Sequence, residues 1–202
     1  MVQNEIIEIS LSENGVDCNI TEAFLRTLKL KCESLYYHSK QVGLIAEQIG
    51  LAIGLGQDRV RTLKIAAYLH DIGKHGIANE ILNKPSKLTH YEWEQIHMHP
   101  ERGAIALHGL PGFEEISEAI LYHHEHDDGS GYPHGLRGDD IPVLSKLICI
   151  SDIFSATSSE RPYKSAFTRR YAIKACIEKV KFNTETTEAI QKVLTHICVK
   201  RG

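Results

Sequence analysis

An all-helical fold is predicted by three features of the sequence. Apolar residues recur at three- and four-residue spacing from Thr21 nearly to the end, helix start and stop signals punctuate that pattern, and no pair of alternating apolar runs reads as paired strands. Ala23, Phe24, Leu28 and Leu30 form a first apolar face. A second helix from about His38 carries Val42, Ile45, Ala46, Ile49 and Ile53, and Gly54 and Gly56 end it. Asp58 can cap a third, in which Val60, Leu63, Ala66, Ala67 and Leu69 face inward and His70-Asp71 arrives near the end, where Gly73 and Gly76 stop it.

Residues 75–88 read as a connecting segment with at most one helical turn around Ala78 to Leu82. Thr89 followed by Glu92 is a capping box opening a helix through Trp93 and Ile96 towards His97 and His99, and Pro100 suits the first position of another. After the Gly109-Leu110-Pro111-Gly112 turn a helix runs from about Phe113 to His123-His124. The next stretch, with Asp127, Asp128, Gly129, Gly131, Pro133, Gly135 and Gly138, breaks every period; it is too long for a plain connector and so is expected to contact something. Pro142 opens a strongly apolar helix through Ile148, Ile150 and Phe154. Thr168 starts the last two, to about Phe182 and from Thr187 to Val199. Residues 1–20 are read as an N-terminal arm and 21–202 as one domain.

Composition bounds the function. The chain has 202 residues, 42% of them hydrophobic, enough for one cored domain. A net charge of -3 gives no global field for a nucleic acid polymer or an anionic membrane, so an anion must be held by local groups. Five cysteines form no Cys-x-x-Cys pair, which fits reduced thiols in a cytoplasm, and Cys149 sits in an apolar run as core. Met1 to Ser12 carries Glu5 and Glu8 where the basic start of a signal peptide would stand, and no apolar run reaches the roughly 20 residues that span a bilayer. A soluble, cytoplasmic protein is expected.

The chemistry centres on Leu69-His70-Asp71-Ile72-Gly73-Lys74. Alone, His-Asp is weak: cationic His and Lys also suit a helix C-terminus. Its company is His38, His99, His123, His124 and Asp152, a set without thiolate that describes a site for two metal ions. Neighbours on a helix point about a hundred degrees apart, so His70 and Asp71 can serve two ions with the carboxylate bridging. Asp152 is the sharpest residue, because a carboxylate amid Ile148, Ile150, Ile153 and Phe154 is expensive to bury unless paired or bound to a cation. His38 and His99 gain meaning only as members of the set. Imidazole with carboxylate suits Fe, Mn, Co, Ni or Zn. Two ions roughly 3.5 to 4 Å apart suit phosphodiester hydrolysis. Lys74 would then neutralise a phosphate oxygen. Arg161 and Lys164, held by Pro162, would clamp a second phosphate, although a solvated loop fits their spacing equally well.

From about Thr21 to Val199 the chain resembles the HD-GYP phosphodiesterases, a branch of the HD metal-dependent phosphohydrolase superfamily. His70 to Lys74 resembles the HDxGK element, Asn83 to Thr89 the KPGKLT segment, His99-Pro100 the KxHP histidine, and His123-His124-Glu125 with Asp128 to Pro133 the HHE and DGSGYP loop. Asp152 and Arg161-Pro162-Tyr163-Lys164 complete the order. The resemblance implies an all-α helical bundle of the HD-domain type with a central binuclear metal site, and hydrolysis of cyclic di-GMP to linear pGpG, in some members to GMP or on related cyclic dinucleotides. It implies metal ligands at His38, His70, Asp71, His99, His123, His124 and Asp152, and two divalent transition metal ions, Fe or Mn before Zn, Ni or Co. Lys74 is implied as a phosphate contact, Tyr132 in the loop over the site, and Arg161 and Lys164 on the substrate phosphate or base. A signalling-protein partner and a homodimer stay open.

Four positions depart from that family's pattern. Ser34 stands where members with a third metal carry Glu, so two metals are expected. Ser155 replaces the second Asp of DxxDA, which is expected to weaken the contact orienting a ligand, by about 10- to 100-fold in metal affinity if that contact mattered. His126 replaces Arg and His97 replaces the Lys of KxHP. A cyclic dinucleotide sensor with poor turnover, favoured by Ser155, and an HD nucleotide phosphohydrolase with another substrate are the alternatives.

Overall fold

The computed structural model describes residues 18–158 and 166–200, which form ten α-helices and no strand. In chain order these are α1 (Cys18–Lys31), α2 (Glu33–Ala52), α3 (Gln57–Leu69), α4 (Asn79–Leu82), α5 (His90–His97), α6 (His99–Leu107), α7 (Glu114–Leu121), α8 (Val143–Ser158), α9 (Ala166–Lys179) and α10 (Thr184–Lys200). Tight 3-10 turns follow α3 at Ile72–Gly76 and precede α8 at Gly138–Asp140. The expected all-α class is observed. The residues assigned to the arm lie outside the described residues up to position 17.

The centre of the bundle is α2, packed against α3, α8, α1 and α10. Its inward face, Val42, Ile45, Ala46 and Ile49, meets Leu63, Ala66 and Ala67 of α3 and Leu147, Ile148 and Phe154 of α8 in one continuous apolar cluster. Two glycines let backbones approach closely. A methyl at Gly43 would run into the Tyr68 ring, so that glycine sets the α2–α3 distance. A methyl at Gly73 would collide with the His99 carbonyl, so the turn after α3 lies directly on α6.

The capping box forms as predicted: the Thr89 hydroxyl accepts from the Glu92 amide, and the Glu92 carboxylate accepts from the Thr89 amide. Pro100 sits in the first turn of α6. Several helix starts differ from expectation. The first helix begins at Cys18 rather than near Thr21, and α9 is helical from Ala166 rather than from Thr168. The second helix begins at Glu33 because Cys32 is extended, breaking α1 from α2 without any Gly or Pro to announce it; His38 is therefore in a helix interior. Gly56, not Asp58, caps α3, and Asp58 instead lies in the first turn, where its charge complements the helix dipole. The last helix begins at Thr184, with the Asn183 side chain accepting from the Thr186 amide. No helix of the described residues is long and apolar enough to cross a membrane.

Candidate metal centre

Three of the predicted histidines are held in one way. Helices end with carbonyls that have lost their intrahelical partners, and each ring takes one of these from its own last turn: His70 Nδ1 lies 2.8 Å from the Ala67 oxygen, His99 Nδ1 2.7 Å from Ile96, and His123 Nδ1 2.6 Å from Ile120. A carbonyl can only accept, so each Nδ1 carries a proton, and in a neutral ring Nε2 then keeps its lone pair. The ends of α3, α5 and α7 thus aim three nitrogens into one space.

All seven predicted ligands meet there. Among the described residues, three groups have ligand atoms within 4.8 Å of one another: His99, His123 and His124; His38, His70 and Asp152; and His70, Asp71 and His123. Asp71 sits between the two ends, its Oδ1 3.4 Å from His99 Nε2 and its Oδ2 3.4 Å from His70 Nε2. Asp152 Oδ1 is 2.9 Å from His38 Nε2 and 3.9 Å from His70 Nε2. Side-chain exposure is 1% at His70 and Asp71 but 23% at His38 and 18% at Asp152, so the cluster is deep at its middle and reaches solvent at the His38 end.

The electrostatics fit bound cations. Burial pushes His99 down to about 4 and His123 to about 3, and burial with the adjacent His123 holds His124 well below its ordinary range. These rings are neutral at pH 7. Yet His99 Nε2 and His123 Nε2 stand 3.3 Å apart, two lone pairs facing each other with both ring protons committed elsewhere. That contact is repulsive unless a cation lies between them. His70 Nε2 and Asp71 Oδ1 are likewise buried without a hydrogen-bond partner. Burial raises the Asp71 carboxyl, but electrostatic interaction with His70, Lys74 and His99 outweighs it and holds it well below the usual range. Burial of Asp152 is overcome by the hydrogen bond from His38, and burial of His38 by the same bond, leaving Asp152 lowered and His38 raised.

Around the cluster, Lys74 Nζ is 2.7 Å from Asp71 Oδ2. Tyr132 is stacked on His124 with ring centres 4.7 Å apart. Arg161 and Lys164 lie outside the described residues. The Glu33 and Ser34 side chains are exposed at the start of α2 and belong to none of the three groups. A cavity of about 420 Å³ bounded by Leu107, Leu110, Phe113 and Tyr122 includes none of the seven.

Three contributors were given no structural role from the sequence, and a fourth, Ser155, was expected only to weaken one. Glu125, fully buried, accepts from the amides of His134 (2.7 Å), Gly135 (3.0 Å) and Leu136 (3.0 Å), gathering the glycine-rich loop around one carboxylate. Lys146, nearly buried in α8, pairs with Asp127 at 3.2 Å and ties the loop to the bundle. Ser155 Oγ lies 3.2 Å from His38 Nδ1, keeping the orienting contact that its substitution for Asp was expected to weaken. His97 stacks on Tyr132 with centres 4.1 Å apart. A Lys in the middle of an apolar helix and a Glu directly after two histidines were the available signals.

Fold and cluster together define a helical domain carrying a His and Asp cluster able to hold divalent cations. The HD domain family model matches residues 22–183, and the chain belongs to that family, in its HD-GYP branch. It is similar to the 3'3'-cGAMP-specific phosphodiesterase 3 of Vibrio cholerae, 36% identical over 159 residues that make up 78% of this chain and 34% of that protein. It is also similar to the cyclic di-GMP phosphodiesterase response regulator RpfG of Xanthomonas campestris pv. campestris, 42% identical over 137 residues, 67% of this chain and 35% of the relative. The chain thus spans about a third of the length of these curated relatives. In structure it matches the HD domain of the L. monocytogenes phosphodiesterase PgpH in complex with cyclic-di-AMP, with a TM-score of 0.66 over 88% of this chain and 96% of that one; at 18% identity the likeness is one of fold.

Proposed function

We propose that the chain is a metal-dependent phosphodiesterase that hydrolyses a cyclic dinucleotide, cyclic di-GMP first, to the linear pGpG and onward to GMP if the linear product is retained. The catalytic unit on this reading is residues 21–202, extended by Cys18 to Ile20, which α1 takes from the arm expected over 1–20. The observation that carries the proposal is the pair of facing, unprotonated imidazole nitrogens of His99 and His123 beside the orphaned Asp71 oxygen. Divalent cations held there, iron or manganese before zinc, nickel or cobalt, supply Lewis acidity that lowers the pKa of nearby water and offsets phosphate charge.

The chain's own residues do the rest. His99, His123 and His124 would hold the cations at one end of the centre, and His38, His70 and Asp152 at the other. Asp71, between the two groups, would offer an oxygen to either. An ammonium has three N–H donors, so Lys74 fixes the Asp71 carboxylate with one and offers another to a non-bridging phosphate oxygen. Glu125 holds the loop that carries Tyr132 over the centre. Arg161 and Lys164 are assigned to the substrate phosphate or base from their place in the sequence. Water adds to phosphorus, the phosphorus–oxygen bond to the ribose breaks, and the departing oxygen takes the proton. Support for the dinucleotide comes from the names of the curated relatives. The sensor alternative loses ground because Ser155 still contacts His38.

The test is chromatography of products after incubating anaerobically purified, manganese- or iron-loaded protein with cyclic di-GMP, 3'3'-cGAMP and cyclic-di-AMP, beside a His70→Ala, Asp71→Ala double variant. Linear product from wild type alone is expected. A wild type that binds metal and dinucleotide yet yields no more product than the double variant would establish a sensor instead.

A further inference from the structure

Tyr132, the loop residue over the centre, has no ring face to offer a ligand. His124 is stacked on it at 4.7 Å and 27°, and His97 at 4.1 Å and 20°. Two imidazoles this close to one phenol centre do not fit side by side on the same face, so they cover opposite faces. The row of rings continues outward as a tilted contact: Trp93, one helical turn before His97 on α5, lies 5.6 Å from the His97 ring at 54°. Trp93 is 49% exposed. A row of four rings therefore runs from a candidate metal ligand outward, and it ends on an indole that is half exposed.

We propose that Trp93, backed by His97, is the base-stacking platform of the substrate site and takes a purine of the cyclic dinucleotide. The inference rests on the reading of the substrate above. It assigns the role that Tyr132 cannot fill to a residue in the next element, and it separates two tasks. Tyr132, clamped on both faces, positions His124; Trp93 supplies affinity. A purine on an indole is a π-stacked, sequence-tolerant contact whose loss on truncation to Ala corresponds to about 5- to 150-fold in affinity. Because the contact is remote from the reacting phosphate, its energy is the same in the ground and transition states and shows in KM far more than in kcat.

Trp93 is the only tryptophan of the chain, so its fluorescence reports on this position alone. Metal-loaded protein is mixed with cyclic di-GMP in a stopped-flow fluorimeter, and steady-state hydrolysis is measured for wild type, Trp93→Ala and Trp93→Phe. A saturable quench in the first phase is expected, with a concentration dependence close to KM. Trp93→Ala should raise KM about 5- to 150-fold while kcat moves much less, and Trp93→Phe should recover most of the loss. Hydrolysis with the indole emission unmoved, and KM unchanged in both variants, would overturn the platform and leave the phosphodiesterase standing. Neither hydrolysis nor quenching with any of cyclic di-GMP, 3'3'-cGAMP and cyclic-di-AMP would remove both.

Discussion

At the scale of single residues, Asp152 was legible because it breaks a rule of burial, whereas His38 and His99 were legible only through the rest of the set. Asp152 interrupts an apolar run, and His70, His123 and His124 crowd helix ends where a core would place aliphatic groups, while His38 lies inside α2. What could not be read was how each ring is oriented, since carbonyls three residues back carry no sequence signal. Ser155 illustrates the point. By pattern it is a loss of an acid, yet its hydroxyl reaches His38 Nδ1 at 3.2 Å. A hydroxyl orients the ring without adding charge, so removing it is expected to be milder than removing a carboxylate. Ser155→Ala should weaken metal affinity by about 10-fold, the lower end for groups that orient a ligand, and Ser155→Asp should strengthen it, both read by competition with a chelator. Equal affinity in all three proteins would show that His38 needs no such partner.

At the scale of elements, helices were legible where their ends are chemically marked and misplaced where they are not. Thr89 with Glu92 marks α5 to the residue, whereas nothing at Cys32 announces the break before α2. The glycine-rich loop is the larger case. Its lack of period said only that it is not helix, whereas its shape comes from Glu125 drawing in three amides and from Lys146 pairing with Asp127. Glu125→Ala would leave those amides without their acceptor, at a cost of about 2 to 4 kcal/mol. Hydrogen exchange over residues 134–136 should accelerate, and the melting temperature should fall. Gly131 allows the same loop to lie against His124 and Glu125, since a methyl there would overlap their backbone; Gly131→Ala should displace Tyr132 from His124 and so lower metal content, measured by elemental analysis, even where the bundle stays folded.

At the scale of the whole molecule, the class of fold followed from periodicity, but the convergence of seven residues from five segments on one space did not. That convergence has a consequence for stability that needs no substrate. His99 and His123 are held neutral, at about 4 and about 3, and His124 is also lowered, while in an unfolded chain all three would titrate near 6.5. Below pH 6.5 the unfolded state therefore binds protons that the native state refuses, and stability falls as pH drops towards 4. Asp71 and Asp152, both lowered, add to the loss below their ordinary pKa of 3.8. His38, raised by its bond to Asp152, works the other way: its contribution is complete below 6.5 and fades as pH rises through its elevated value. Three lowered imidazoles outweigh one raised. The melting temperature of metal-free protein should accordingly fall steadily between pH 6.5 and 4, and added manganese should raise it at pH 7, in proportion to the logarithm of its excess over the dissociation constant. A flat or rising melting temperature across that acid range would mean that the buried rings are already protonated in the native state, and lone pairs that carry protons cannot be the seat of a metal pair.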